Sequence, residues 1–199
     1  MLNQRPQERP FNLDPASSSG ELNVVIETPR NSRLKYKYDE QCGVFRLHKV
    51  LPTGTVFPFD FGFLPATRAE DGDPLDVLVL IEEPLAVGCI APTRLIGVIA
   101  ARQTVKNKAT RNDRLIGVAS TSHLYRNVRS LRGLMPGVVE EIERFFVFYN
   151  QLQEREFKVL GRYGAARARK AIVDARAHFA KAQVGTMSRR VENGTVSSS

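Results

Sequence analysis

Apolar and polar positions alternate through the first half of the chain and then switch to three- and four-residue steps, which predicts strands followed by helices. Residues 22–27 are rich in β-branched side chains. Leu34, Tyr36 and Tyr38 alternate with Lys35 and Lys37, so the two sets point to opposite faces. Residues 44–51 and 77–81 extend the pattern, the latter as a nearly continuous apolar run that predicts a strand buried on both sides. Residues 94–105 and 114–120 read as a further pair joined by a polar loop. After Pro136-Gly137, the positions Val138, Ile142, Phe145, Phe146, Tyr149 and Leu152 make one helical stripe. Glu140, Glu141 and Glu143 fall in its first turns, where the helix dipole favours acids. Ala168, Ile172, Ala175 and Phe179 make a second stripe. Strands followed by helices predict an α+β domain, most simply a small twisted barrel flanked by helices.

The ends differ from this middle. Residues 1–20 hold Pro6, Pro10, Pro15 and Ser17-Ser18-Ser19-Gly20, which predicts a flexible arm, and residues 185–199 are expected to be a flexible tail. The folded domain is expected over 21–184, and a chain of 199 residues is long enough to bury a core unaided. The net charge of +8 is concentrated from Arg162 onward. Such a stripe suits either nucleic acid or a solvated helix face. The solvated face is preferred, because charged outer faces are the rule for amphipathic helices and no nucleic-acid motif accompanies the charge. Cys42 and Cys89 are too few and too far apart for a disulfide framework or a CxxC pair, which suits a reducing compartment. With no apolar run of about 20 residues and no secretory pattern at the N-terminus, the chain is expected to be cytoplasmic and without a membrane partner.

Candidate chemistry concentrates in Glu70-Asp71-Gly72-Asp73-Pro74-Leu75-Asp76, ahead of the buried strand. Gly72 permits a tight bend and Pro74 fixes its own φ, so Asp71, Asp73 and Asp76 can converge. Two carboxylates about 4 Å apart repel by roughly 4 kcal/mol at an effective dielectric of about 20, so such a cluster calls for a cation. Mg²⁺ with retained waters is the natural counter-ion of a sparse all-oxygen site. The alternative is an ordinary solvated turn, since Asp, Gly and Pro are all turn residues. An EF-hand is excluded, because Leu75 and Asp76 occupy the loop's fifth and glycine positions. His48, His123 and His178 lack metal-ligand spacing and read as surface or packing residues. Phe57, Phe59, Phe61 and Phe63 read as core packing beside the acidic site.

The run Asp71-Gly72-Asp73-Pro74-Leu75-Asp76-Val77 resembles the soluble inorganic pyrophosphatases of the five-stranded-barrel type. The resemblance continues in order through Val25-Ile26-Glu27, Lys35-Tyr36, Phe57-Pro58, Phe61-Gly62-Phe63, Arg94-Leu95-Ile96-Gly97-Val98 and Phe145-Phe146 with Tyr149, over about residues 22–182. It implies an OB-like five-stranded barrel, closed or partly open, and Mg²⁺-dependent hydrolysis of pyrophosphate to two phosphates by metal-activated water. It further implies metal ligation by Asp71, Asp76 and Glu27, and orientation or deprotonation of the water by Asp73. Phosphate contacts would come from Lys35, Lys49, Arg114 and Tyr149, and the usual assembly is a homo-oligomer.

Several positions depart from the family pattern. Lys49 and Arg114 stand where the family uses an arginine and a lysine, Phe61 replaces a tyrosine, and Lys37 replaces an acid. Asn150 replaces the lysine after Tyr149, and Gln103 and Asn112 stand where two aspartates complete the metal cage. Neutral amides are poorer Mg²⁺ ligands than carboxylates. A bulge turning Asp113 into the cage would compensate, although regular strand alternation points it the other way. The intact Asp71, Asp73 and Asp76 favour a working pyrophosphatase. The departures favour a relative that binds phosphate, pyrophosphate or a nucleotide without efficient turnover.

Overall fold

A computed structural model describes residues 10, 13–40 and 42–194, with side chains as far as residue 184. The elements are β1 (Leu22–Thr28), β2 (Leu34–Asp39), β3 (Val44–Val50), β4 (Asp60–Leu64), β5 (Leu75–Leu80), β6 (Ile90–Val105), β7 (Lys108–Arg111), β8 (Arg114–Ala119), a 3₁₀ turn (Leu131–Gly133), α1 (Val138–Gln151), β9 (Glu156–Gly164) and α2 (Ala165–Gly194). Strands run in the order β1-β4-β5-β8-β6, and β6 pairs back onto β1, so five strands close a ring. The β5–β8 pairing is parallel and the other ring pairings are antiparallel. The α+β barrel expected from the sequence is thus present in its closed form.

Closure is possible because β6 is 16 residues long and serves three functions along its length. Its first part pairs with β1, its middle with β8, and its end with β7, while β9 lies along its other edge. The strand β5 shows why its sequence is continuously apolar. Val77 and Val79 enter a cluster drawn from all five ring strands together with Ala168, Ile172 and Ala175 of α2. Leu78 and Leu80 enter a second cluster with Phe57, Phe61, Ile142, Phe146 and Phe157, which seats α1. The Ala168, Ile172 and Ala175 positions of the second helical stripe are therefore core positions.

Three strands were not individually legible. The β4 segment lies within the expected Phe59 to Phe63 alternation, but β7 converts the polar loop after β6 into a hairpin whose turn, Lys106-Asn107, has positive φ at both residues. In the expected all-helical second half, β9 is an inserted strand. Its Phe157 is buried while Glu156 and Lys158 are exposed, a short alternation that the helical stripes on either side mask. Of the arm expected over 1–20, residues 1–9, 11 and 12 lie outside the described residues, and Ala16 bridges to Leu22 beside β1. Of the tail expected over 185–199, the backbone to Gly194 continues α2, and 195–199 lie outside the described residues.

The hairpin of β2 and β3 forms a separate two-stranded sheet. It stands against the barrel through Tyr38 and Phe45, which pack with Val25 and Phe63. Among the described residues no helix is long and apolar enough to cross a membrane.

The β1–β4 contact admits no side chain at Gly62, where an added Cβ would lie 2.1 Å from the Val25 carbonyl oxygen. Gly62→Ala is expected to lose about 1–3 kcal/mol or more of stability through overpacking. Urea denaturation of the variant checks this, and an unchanged midpoint would contradict it.

Candidate active site

The loop joining β4 to β5 carries the acidic motif, and its shape follows from a small set of backbone bonds. The Thr67 hydroxyl donates to the Leu64 carbonyl at 2.6 Å and accepts from the Leu75 N–H at 3.0 Å, tying the loop's two ends together. Within it, the Gly72 N–H donates to the Ala69 carbonyl at 3.1 Å and the Ala69 N–H to the Asp73 carbonyl at 2.8 Å. Gly72 has φ of 91°, a left-handed conformation that glycine adopts without strain. The Asp73 N–H donates to an Asp71 carboxylate oxygen at 3.2 Å, so the two acids are fixed relative to each other by a local turn.

This loop faces a cavity of about 430 Å³. The eight residues given a role from the sequence line it: Glu27 at the end of β1, Lys35 on β2, Lys49 on β3, Asp71 and Asp73 on the loop, Asp76 on β5, Arg114 at the start of β8 and Tyr149 on α1. Acids and cations are interleaved around it, Arg114 pairing with Asp76 and Lys37 with Asp73. The hairpin contributes Lys35 and Lys49, which are directly paired across β2 and β3. Like charges placed opposite each other in a hairpin cost about 0.2–1 kcal/mol, so the arrangement favours an anion between them.

Aromatic rings orient the cations. The Lys35 ammonium lies 4.6 Å from the Phe61 ring centre and 5.7 Å from that of Tyr149. The Arg114 guanidinium lies 4.8 Å from the Phe146 ring and 5.4 Å from that of Phe157, and its ion pair with Asp76 measures 2.6 Å. The expected core role of the Phe57 to Phe63 series therefore holds, and Phe61 also supports a charged group. Lys49 donates to the Gln153 side chain, a contact that no sequence spacing announces.

Burial and crowding shift the titration of the pocket's groups. Glu27, almost fully enclosed, is pushed up to about 7 by burial despite the nearby Lys35, with Asp76 adding repulsion. Asp71 sits at the accessible rim, yet the enclosing walls push it up to about 6, with the Asp76 charge as the next cause. Burial works against the Lys37 ammonium, but its hydrogen bond and attraction to Asp73 outweigh that and raise its pKa. Burial lowers His48 and Lys49, and neighbouring cations lower both further. His48 is exposed, as expected of a surface residue, and also lines this cavity.

Four of the departures from the family pattern, Arg114, Asn112, Gln103 and Asn150, form one connected structure. Arg114 donates to the Asn112 side-chain oxygen, the Asn112 amide donates to Gln103 Oε1 at 2.5 Å, and the Gln103 amide donates to Asn150 Oδ1 at 2.8 Å. Asn150 ends the series by donating to the Phe146 carbonyl at 2.8 Å. Gln103, Asn112 and Asn150 are all buried, so each substitution is satisfied by the next. Asp113 does not join them. Its carboxylate accepts from the Ala101 N–H at 3.0 Å, pairs with Arg111, and lines a different cavity, as regular strand alternation requires. The compensating bulge is therefore absent at this position.

The profile of the inorganic pyrophosphatase family matches residues 24–180. The chain belongs to the inorganic pyrophosphatase family. It is 36% identical over 138 residues to the soluble inorganic pyrophosphatase of Oryza sativa subsp. indica, a match covering 69% of this chain and 63% of the rice protein's length. The inorganic pyrophosphatase of Nostoc sp. is 34% identical over 142 residues, covering 71% of this chain and 82% of that one. Among solved structures, the Thermus thermophilus inorganic pyrophosphatase superposes with a TM-score of 0.78 at 31% identity, covering 86% of this chain and 98% of that one.

Membership of the pyrophosphatase family implies a divalent metal cofactor, and the donor chemistry here fits one. Glu27, Asp71 and Asp76 offer hard carboxylate oxygens, and Asp76 lies close enough to disfavour ionisation of both others, a repulsion that a cation relieves. Among the described residues no three carboxylate, histidine or cysteine side chains are grouped closely enough to hold a metal ion by themselves. A cation bound here would therefore complete its shell with water or phosphate oxygens, the usual habit of Mg²⁺.

Asn150→Ala removes one member of the buried amide series and leaves the Gln103 amide without its acceptor. A stability loss of about 1–3 kcal/mol is expected in urea denaturation, and a variant as stable as the parent would show that water satisfies the gap.

Proposed function

We propose that the protein is an inorganic diphosphatase that hydrolyses pyrophosphate to two phosphates with Mg²⁺ as the cation. The observation that supports this reading is that one cavity is lined by all eight anticipated residues, four acids and three cations together with Tyr149. A compact polyanion and a metal ion require both signs of charge in one site.

The bound cation would supply a lowered water pKa and screen the phosphate charge. Asp71, Asp76 and Glu27 would hold it. Lys35, Lys49, Arg114 and Tyr149 would bind phosphate oxygens and keep the bridging oxygen in line with the attacking water. The hydrophobic floor of Phe57, Phe61 and Phe146 limits solvent behind them, which strengthens each of these charge contacts. As the water oxygen bonds to phosphorus and the bridging bond breaks, Asp73 would take the water's proton. Lys49 for arginine and Arg114 for lysine keep charge while exchanging the planar fork between positions. The ligand partner is thus pyrophosphate or a closely related phosphate anion.

A second reading, anion binding without efficient turnover, is favoured by the amide series and by the engagement of Asp73 with Lys37. Phosphate release from Mg²⁺-pyrophosphate separates the two. Turnover above about 1 per second supports hydrolysis. Asp73→Asn is then expected to lower kcat by about 10²–10⁴-fold, the range for loss of a positioned acid or base. An unchanged kcat would remove Asp73 from the reaction.

Metal binding is separately testable. At about a hundred times its dissociation constant Mg²⁺ should stabilise the protein by about 2.7 kcal/mol, and Asp71→Asn should abolish most of that gain in thermal melts.

A further inference from the structure

The pocket contains two kinds of wall, and only one suits a metal ion. On the amide wall every side-chain oxygen already accepts a hydrogen bond: Asn112 Oδ1 from Arg114, Gln103 Oε1 from Asn112, and Asn150 Oδ1 from Gln103. The three residues are neutral, buried and mutually satisfied, so they bring no negative charge to a metal ion. Fixed cations stand at this wall and across from it. Arg114 is 5% exposed, lines the cavity, and has an Nε–H with no acceptor among the described residues. Lys37 reaches from the hairpin to grip both Asp73 oxygens, at 2.9 and 3.1 Å.

We propose that this site takes its phosphate anion with Lys37 and Arg114 supplying positive charge that metal ions would otherwise bring, so that the anion binds even when divalent cations are withdrawn. The inference rests on the diphosphatase reading for the identity of the anion, and concerns how the same pocket binds it. The two cations divide the task by their mobility. Arg114 is held by Asp76, by Asn112 and by the Phe146 and Phe157 rings, so it is a rigid anchor. Lys37 is half exposed and sits on a flexible stem, so its ammonium can leave Asp73 for an incoming phosphate oxygen. Binding the anion removes the cation from Asp73 and leaves that carboxylate open to the cavity. With no anion present, the Lys37–Asp73 pair holds the acidic loop to the hairpin and keeps the loop's charge balanced.

The probe is methylenediphosphonate, a non-hydrolysable pyrophosphate analogue, titrated calorimetrically into the full chain in excess EDTA. Binding by the parent protein is expected, with an affinity at least about tenfold weaker for Lys37→Gln, the effect of losing one charge-assisted hydrogen bond. Lys37→Arg should recover most of the difference, which a merely structural role of the position would not require. The Lys37 side chain is solvent-accessible, and a thermal melt establishes that each variant is folded. Absence of binding in EDTA, or equal affinity for parent and Lys37→Gln, would overturn the proposal. Phosphate release from Mg²⁺-pyrophosphate keeps the two readings apart. Turnover without chelator-resistant binding sinks this inference and leaves the diphosphatase, whereas chelator-resistant binding without turnover does the reverse.

Discussion

Like charges crowded into a partly buried cavity are the constraint around which the rest of this molecule is arranged. Asp76 disfavours ionisation of both Glu27 and Asp71, and Lys35 and Lys49 face each other across the hairpin. Neither group is comfortable alone, and the protein holds both in place with surrounding structure. The Thr67 side chain ties the ends of the acidic loop, aromatic rings orient Lys35 and Arg114, and Tyr38 and Phe45 seat the hairpin on the five-stranded ring. Local repulsion of this kind is tolerated where the scaffold over-determines it, and it is relieved when ligands of the opposite sign arrive.

The two ion pairs that span the pocket differ in kind. Asp76–Arg114 is largely enclosed, with aromatic rings against the guanidinium, so breaking it would leave an uncompensated buried charge. Lys37–Asp73 is half exposed on both sides and is weak by comparison, because solvent screens it. A strong pair fixes geometry, whereas a weak one can be exchanged for substrate. The amide series explains how a family member accommodates several simultaneous departures. Gln103, Asn112, Asn150 and Arg114 come from β6, the β7–β8 connection, α1 and β8, yet each completes the hydrogen bonding of its neighbour. Any one of them placed among charged partners would be less well satisfied than all four together.

The scaffold was legible where burial imposes a strong period. The β5 segment announced two-sided burial by its unbroken apolar run, and α1 and α2 announced themselves by their stripes. By contrast, β9 is a strand with few buried side chains, paired along β6, and its backbone bonds leave little trace in side-chain pattern. The β7 strand was hidden for the same reason, since the Lys108–Arg111 segment is polar and closes by a turn of non-glycine residues with positive φ. Site residues were legible because the acidic motif and its companions resemble a family pattern residue by residue. The contacts Lys37–Asp73, Lys49–Gln153 and the lining by His48 carry no such mark.

By itself the sequence determined the chemical inventory: three acids at and just before the start of a buried strand, an excess of basic groups, and neutral amides at positions where carboxylates are usual. Local chemistry and periodicity are properties of neighbouring residues, so a chain read in order exposes them. Only the tertiary structure decided which of these groups meet. Gln103 and Asn150 touch across 47 positions and Lys37 and Asp73 across 36, and Asp113 is kept from the pocket while its neighbour Asn112 enters it. Those outcomes depend on how a ring of strands closes and which face each strand turns inward, and closure is a property of the whole chain that no short stretch contains.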